Sequence, residues 1–176
     1  VKNMVEVIQE VEEQTSLAPV LVHCDLEVVD ENLQTLASSF LSYQRLPTQT
    51  KLPRQIIQNN VTGCATLLNR RAVEVSLPIP NAAIMHDWWI ACCVLKHGGS
   101  VKLLPESLVR YRQHSSNSIG AKGYTLVGQL KKFSNMRVWI EGYRAILDQA
   151  NALGYKGHLK AFKLAFLKAL YFLKRR

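Results

Sequence analysis

Residues 20–24, Val-Leu-Val-His-Cys, make an apolar run of buried-strand length that stops abruptly at Asp25-Leu26-Glu27. A strand apolar on successive residues turns both faces toward protein, as strands of α/β sheets do when helices cover each side. The flanking pattern agrees. Met4, Val5, Ile8 and Val11 recur at helical spacing, with Glu6, Glu10, Glu12 and Glu13 facing water, which predicts an amphipathic helix over 2–14. Asp30 is placed to cap a helix running to about Tyr43, with Leu33, Leu36, Ala37, Phe40 and Leu41 inward. Pro47 and Pro53 bracket a polar loop, and residues 61–68 are strand-like around Gly63, after the turn-favouring pair Asn59-Asn60. From His86 to about Lys96 the pattern is apolar nearly all round, the mark of a buried helix, and Gly98-Gly99 ends it. Residues 101–104 and 108–111 follow as two short strands separated by Pro105. Helices and strands thus alternate through the first 120 residues, so the expected class is α/β with a mostly parallel sheet. Ligands of such sheets bind beyond the carboxyl ends of strands, where Asp25 and Glu27 fall.

Composition narrows the function classes. Apolar residues make up 48% of the 176, which excludes disordered and low-complexity chains. The net charge of +9 is unevenly spread. Residues 1–120 carry ten basic and eleven acidic side chains, whereas residues 121–176 carry twelve basic and two acidic. The expected organisation is a near-neutral body over 1–120 and a basic helical tail over 121–176. Four cysteines without a CxxC spacing make neither a disulfide framework nor a zinc site, and a reducing cytosol is the expected compartment.

Three stretches carry chemistry. Asp25 and Glu27, two apart at a strand end, can point oxygens at one hard cation; equally, Asp30 caps a helix and Glu27 is solvated. His86-Asp87-Trp88-Trp89 opens the buried helix. An aspartate there is favoured by the helix dipole, yet a carboxylate beside paired aromatics also suits a sugar, whose C–H faces stack on rings while a hydroxyl needs a base. Around Tyr111, Arg110 and Arg112 share one face of a strand, and His114 and Asn117 follow in a loop that ends at Gly120. Arginine grips phosphate and histidine binds metals, although a basic strand end is also an ordinary solvated surface.

Taken together, HCDLEVVDENL, NNVTGCATLLNRRA and HDWWIACCVLKHGGSVKLLPESLVRYRQHSSNSIGA resemble, in order and spacing, the bacterial family 2 glycosyltransferases, particularly the rhamnosyltransferase-like branch. The resemblance covers roughly residues 1–121 and implies the second half of a GT-A (Rossmann-like) catalytic domain, followed by C-terminal helices. It implies an inverting transfer of a sugar from a nucleotide-diphosphate donor to a saccharide or lipid-linked acceptor in cell-surface polysaccharide synthesis. In that family the acidic motif holds a divalent metal, Mg or Mn, which falls to Asp25 and, with glutamate in place of the commoner second aspartate, to Glu27. The general base corresponds to Asp87. The loop that closes over the diphosphate corresponds to Arg112 and His114, the histidine also reaching the metal. Thr62, Gly63 and Cys64 correspond to the acceptor-pocket floor, with Trp88 and Trp89 beside it. The family's nucleotide-binding first half has no counterpart in these residues, so the expectation is a truncated chain.

The tail has its own pattern. Residues 151–176 hold seven basic and no acidic side chains. Lys160, Lys163, Lys168 and Lys174 fall in one helical arc, largely opposite Phe162, Phe166, Leu170 and Leu173. This suits an interfacial helix on an anionic membrane, on the inner face of the plasma membrane, and it suits equally a helix packed on protein with its lysines in solvent. Nucleic acid is not an expected partner, because no recognition motif accompanies the charge. Two classes follow: a glycosyltransferase catalytic portion, or a non-catalytic membrane-surface or interaction module derived from one.

Overall fold

A computed structural model describes residues 2–15, 18–48, 51–114 and 136–155. Its axis is β1 (Val20–Val29), with nine of its ten residues buried. β1 pairs in parallel with β4 (Ser100–Arg112) along its whole length, while its other edge takes two short antiparallel strands. β3 (Thr66–Leu68) pairs near the start of β1, and β2 (Thr35–Ala37) near its end. The chain is therefore α/β as expected, but the sheet is mixed, with one parallel pairing of three. The apolar run persists because β1 has neighbours on both edges and cover on both faces.

One face of β1 packs on α1 (Lys2–Thr15): Val20, Val22, Cys24 and Leu26 meet Met4, Ile8 and Val11. Val5, expected on that stripe, is exposed, because the buried positions follow the i, i+4, i+7 spacing without it. The other face meets α5 (His86–Lys96), where Leu21 packs with Ala91 and Val94. Residues 86–96 are helical as their all-round apolarity predicts. Gly98, at φ +74°, ends α5. At Gly99 a Cβ would lie 2.1 Å from the Pro19 carbonyl oxygen, so only glycine lets the chain enter β4 against the start of β1.

Four local expectations are corrected. Asp30 caps no helix: its Oδ1 accepts from the amides of Asn32 and Gln34, closing a turn with Leu33 at φ +64°. Leu33 and Leu36 are consequently about half exposed, at 51% and 53%. The helix shrinks to α2 (Phe40–Tyr43), capped by Ser39. The bracket of Pro47 and Pro53 contains the start of α3 (Leu52–Ile57), where a proline in the first turn is tolerated because its missing N–H has no helical partner anyway. Residues 61–68 hold a 3₁₀ turn (Gly63–Ala65) before β3, and α4 (Arg70–Ser76) follows under an Asn69 cap. Finally, the two strands around Pro105 are one, β4, whose register slips between Cys24 and Leu26, so that Pro105, Glu106 and Leu108 bulge out.

α6 (Met136–Ala152) lies inside the region expected as tail and buries Ile146 and Ala150 against α3 and α5, with Leu153 just beyond its end. The interfacial helix expected over 157–176 lies outside the described residues. No helix among the described residues is long and apolar enough to cross a membrane.

Candidate functional site

Asp87 stands in the first turn of α5, where the helix dipole favours its anion. It is only 4% exposed, and three donors fix it. Its Oδ1 accepts from its own helix at Trp88 N, at 2.7 Å, and from Asn59 Nδ2, at 3.1 Å. Its Oδ2 accepts from Gly63 N at 2.9 Å. Gly63 passes close under the start of α5: a Cβ there would lie 2.5 Å from His86 Nε2, the tip of an exposed side chain that would have to swing aside, and 3.5 Å from the Asp87 Cβ. A carboxylate has about four lone-pair positions. With two used on Oδ1 and one on Oδ2, the remaining one is on Oδ2.

Asn59 is itself oriented. Its Oδ1 accepts from Gln55 Nε2 and from Val61 N, each at 3.1 Å, which turns its Nδ2 toward Asp87. From the sequence Asn59 and Asn60 signal only a turn. The contact to Asp87 spans 28 positions, and no local pattern announces it.

Asp87 borders a cavity of about 490 Å³, within the ordinary range for small-molecule sites, roughly 300–1,000 Å³. Phe40, Trp88 and Tyr111 contribute aromatic rings, the first and last packed edge to face at 5.8 Å. Gln44, Gln58, Asn59 and Asn60 contribute amides. Trp88 is held by its indole N–H donating to the Gln55 carbonyl. Among the expected acceptor residues Thr62 and Cys64 line this cavity, while Gly63 serves through its amide. Trp89 points elsewhere: it is buried with Ile56, Cys92 and Ile146, and its indole N–H donates to the Ser76 carbonyl at 2.9 Å.

The acidic pair is arranged differently, and it lies within β1, which runs on to Val29, rather than at the strand end that the apolar run predicts. Asp25 is buried and accepts at Oδ1 from Leu26 N and Leu41 N, at 2.8 and 3.1 Å, and at Oδ2 from the Ser39 hydroxyl at 2.5 Å. Two of these donors belong to the start of α2, so Asp25 anchors the turn that carries Phe40 into the cavity wall. Glu27 accepts from the Thr35 hydroxyl at 2.6 Å and from Arg110 Nε at 2.9 Å, a clamp across β2, β1 and β4. Those hydrogen bonds, Thr35's and then Arg110's, hold its carboxyl below the usual carboxylate range. His23, two residues before Asp25, is brought down to about 4 by burial, against the opposing pull of the Asp25 charge.

Asp25, Glu27 and His114 do not fit one divalent ion as placed. Both oxygens of each carboxylate already accept hydrogen bonds, three on Asp25 and two on Glu27, and the Arg110 guanidinium sits against Glu27. Asp25 faces Ser107 whereas Arg112 faces Val29, four residues and roughly 13 Å further along the strand, with His114 beyond. Arg112 and His114 are exposed, and neither lines the cavity. Among the described residues no three His, Cys, Asp or Glu side chains gather as a metal set.

Compared with protein families, curated proteins and solved structures, the chain matches none of them.

Proposed function

We propose that the chain carries the acceptor half of an inverting glycosyltransferase, with Asp87 as its general base. The observation that supports this reading most is the Asp87 carboxylate, oriented by Asn59, Gly63 and Trp88, at the edge of a cavity walled by aromatic rings and amides. Rings suit the C–H faces of a pyranose, and amides match its hydroxyls as both donors and acceptors.

In the reaction a saccharide hydroxyl in the cavity gives its proton to Asp87 Oδ2 as its oxygen bonds to the anomeric carbon of a nucleotide-diphosphate sugar. The bond from that carbon to the diphosphate breaks, and the diphosphate leaves with the electron pair. A positioned base typically contributes about 10²–10⁴-fold. Arg112 and His114, which the resemblance gives to the leaving diphosphate, are given no part in this step, because neither lines the cavity and Arg112 lies on the face of β4 opposite Tyr111. No step is routed through a divalent ion, since the expected ligands do not fit one as placed. The basic residues over 157–176 are assigned to an anionic membrane surface, on their sequence pattern alone.

The test is transfer from nucleotide-diphosphate sugars to a saccharide panel, with Asp87→Asn beside the parent. Transfer that survives Asp87→Asn removes Asp87 as the base. Saccharide binding without transfer by this chain alone is expected of an acceptor half; the same result in a protein that also carries the nucleotide-binding half favours the non-catalytic module.

A further inference from the structure

We propose that the cavity beside Asp87 admits the uncharged end of a saccharide and excludes ends bearing carboxylate or phosphate. This inference rests on the reading of the cavity as an acceptor pocket and goes on to name the class of acceptor. Among the described residues that line the cavity, Asp87 is the one charged side chain; the others are aromatic, aliphatic, amide, hydroxyl, thiol or thioether. An anionic ligand would need a basic partner, and no Lys, Arg or His is among those lining residues; Arg45 and His86, next in sequence to them, are exposed and do not line the cavity. Arg110 is committed to Glu27. On alternating strand positions Arg110 and Arg112 lie on the opposite face of β4 from Tyr111, the β4 residue that lines the cavity.

Asp87 is nearly buried, so solvent screens it weakly. Two like charges about 6 Å apart in such a setting disfavour each other by on the order of a hundredfold in affinity. Gln58, by contrast, keeps its amide oxygen and a second N–H beyond its bond to the Asn59 carbonyl, so a neutral ring meets a donor and an acceptor without desolvating a charge.

Cys64 supplies a reporter. It lines the cavity and is exposed, whereas Cys24, Cys92 and Cys93 are buried, and burial raises all three of those thiols. Iodoacetamide labelling of Cys64, followed by peptide mass spectrometry, can be run with methyl glycosides and disaccharides of neutral hexoses and 6-deoxyhexoses. The matching uronic acids and 6-phosphates form the charged set. The expected result is slower labelling with at least one neutral ligand and at least tenfold weaker protection by its charged counterpart. High salt should narrow that gap. In Asp87→Asn the gap should close to within a few-fold. Wild-type protection by charged ligands equal to that by neutral ones overturns the inference, as does a gap unchanged in Asp87→Asn. The ratio in the wild-type chain stands as a test even if the variant folds poorly. Failures of the two readings separate. Transfer to charged acceptors overturns the exclusion and leaves the transferase standing; neutral-only protection without transfer, in a protein that also carries the nucleotide-binding half, does the reverse. Protection by no glycoside overturns both.

Discussion

Asp25 and Asp87 are nearly the same object locally. Each is an aspartate almost sealed from solvent, and each accepts three hydrogen bonds, two on Oδ1 and one on Oδ2. They differ in what lies beyond the fourth position. Asp25 is packed between β1, α2 and the bulge of β4, so its charge is spent on holding chain segments together. Asp87 opens onto a cavity whose walls a sugar would fit. Burial and hydrogen bonding therefore do not separate a framework carboxylate from a chemical one; the space in front of it does.

The largest effect expected from this contrast is on turnover. Asp87→Asn keeps the size and, with its one oxygen in the Oδ1 position, can still accept from Trp88 and Asn59, but it sets an NH2 against the Gly63 amide and has lost the basic oxygen. In a transfer assay the rate should fall about 10²–10⁴-fold, well beyond what the lost Gly63 hydrogen bond, about 1–3 kcal/mol of stability, takes from the folded fraction. A comparable loss of rate from Asp25→Asn in a fully folded protein would break the comparison.

Asp25→Ala should act on folding instead. It leaves the Ser39 hydroxyl and the Leu41 amide without their acceptor at the start of α2, where a charged hydrogen bond is worth about 1.5–3 kcal/mol and a cap about 1. A loss of about 3 kcal/mol in urea unfolding is expected. Calorimetry with manganese and a nucleoside diphosphate provides the counter-test. Binding present in the parent and abolished in a folded Asp25→Asn would make Asp25 a metal ligand after all.

The sealed side should also be sensitive to acid. Unfolded, the His23 imidazole takes a proton near pH 6.5; folded, it does so only near 4, because burial opposes the charge. The stability held above pH 6.5 is therefore lost as the pH falls toward 4, by about 3 kcal/mol. Replacing His23 by Leu should remove this part of the acid dependence. An unchanged unfolding curve between pH 7 and 4 in the parent would show that His23 is already solvated.

What the sequence made legible follows the range of the interactions. α1, β1 and α5 are written in contiguous periodicity, and their bounds follow to within a residue or so at α1 and α5. The segment over 30–43 misleads because an aspartate signals a cap and an Asx turn alike, and only the pairing of Val28 with Ala37 decides between them. Likewise Trp88 and Trp89 are indistinguishable in sequence, yet a turn of about 100° around α5 sends one to the cavity and the other to the core. The clamp on Glu27 by Arg110 joins residues 83 apart, which no local pattern shows.

The smallest effect expected concerns the residue that aims the base. Asn59→Ala removes one of two hydrogen bonds to Asp87 Oδ1 and frees the carboxylate to rotate, while Gly63 and Trp88 still hold it. One hydrogen bond to a charged group, about 1.5 kcal/mol, corresponds to roughly tenfold. The loss should fall on kcat, with KM for the acceptor changed much less, because the bond aims the base rather than gripping the sugar. Asn59 also closes a turn through Val61 N and receives Gln55 Nε2, so some stability will go with it. The kinetic split keeps these roles apart. A lower melting temperature with kcat intact would leave Asn59 a turn residue and nothing more, and would leave Asp87 positioned by backbone amides alone.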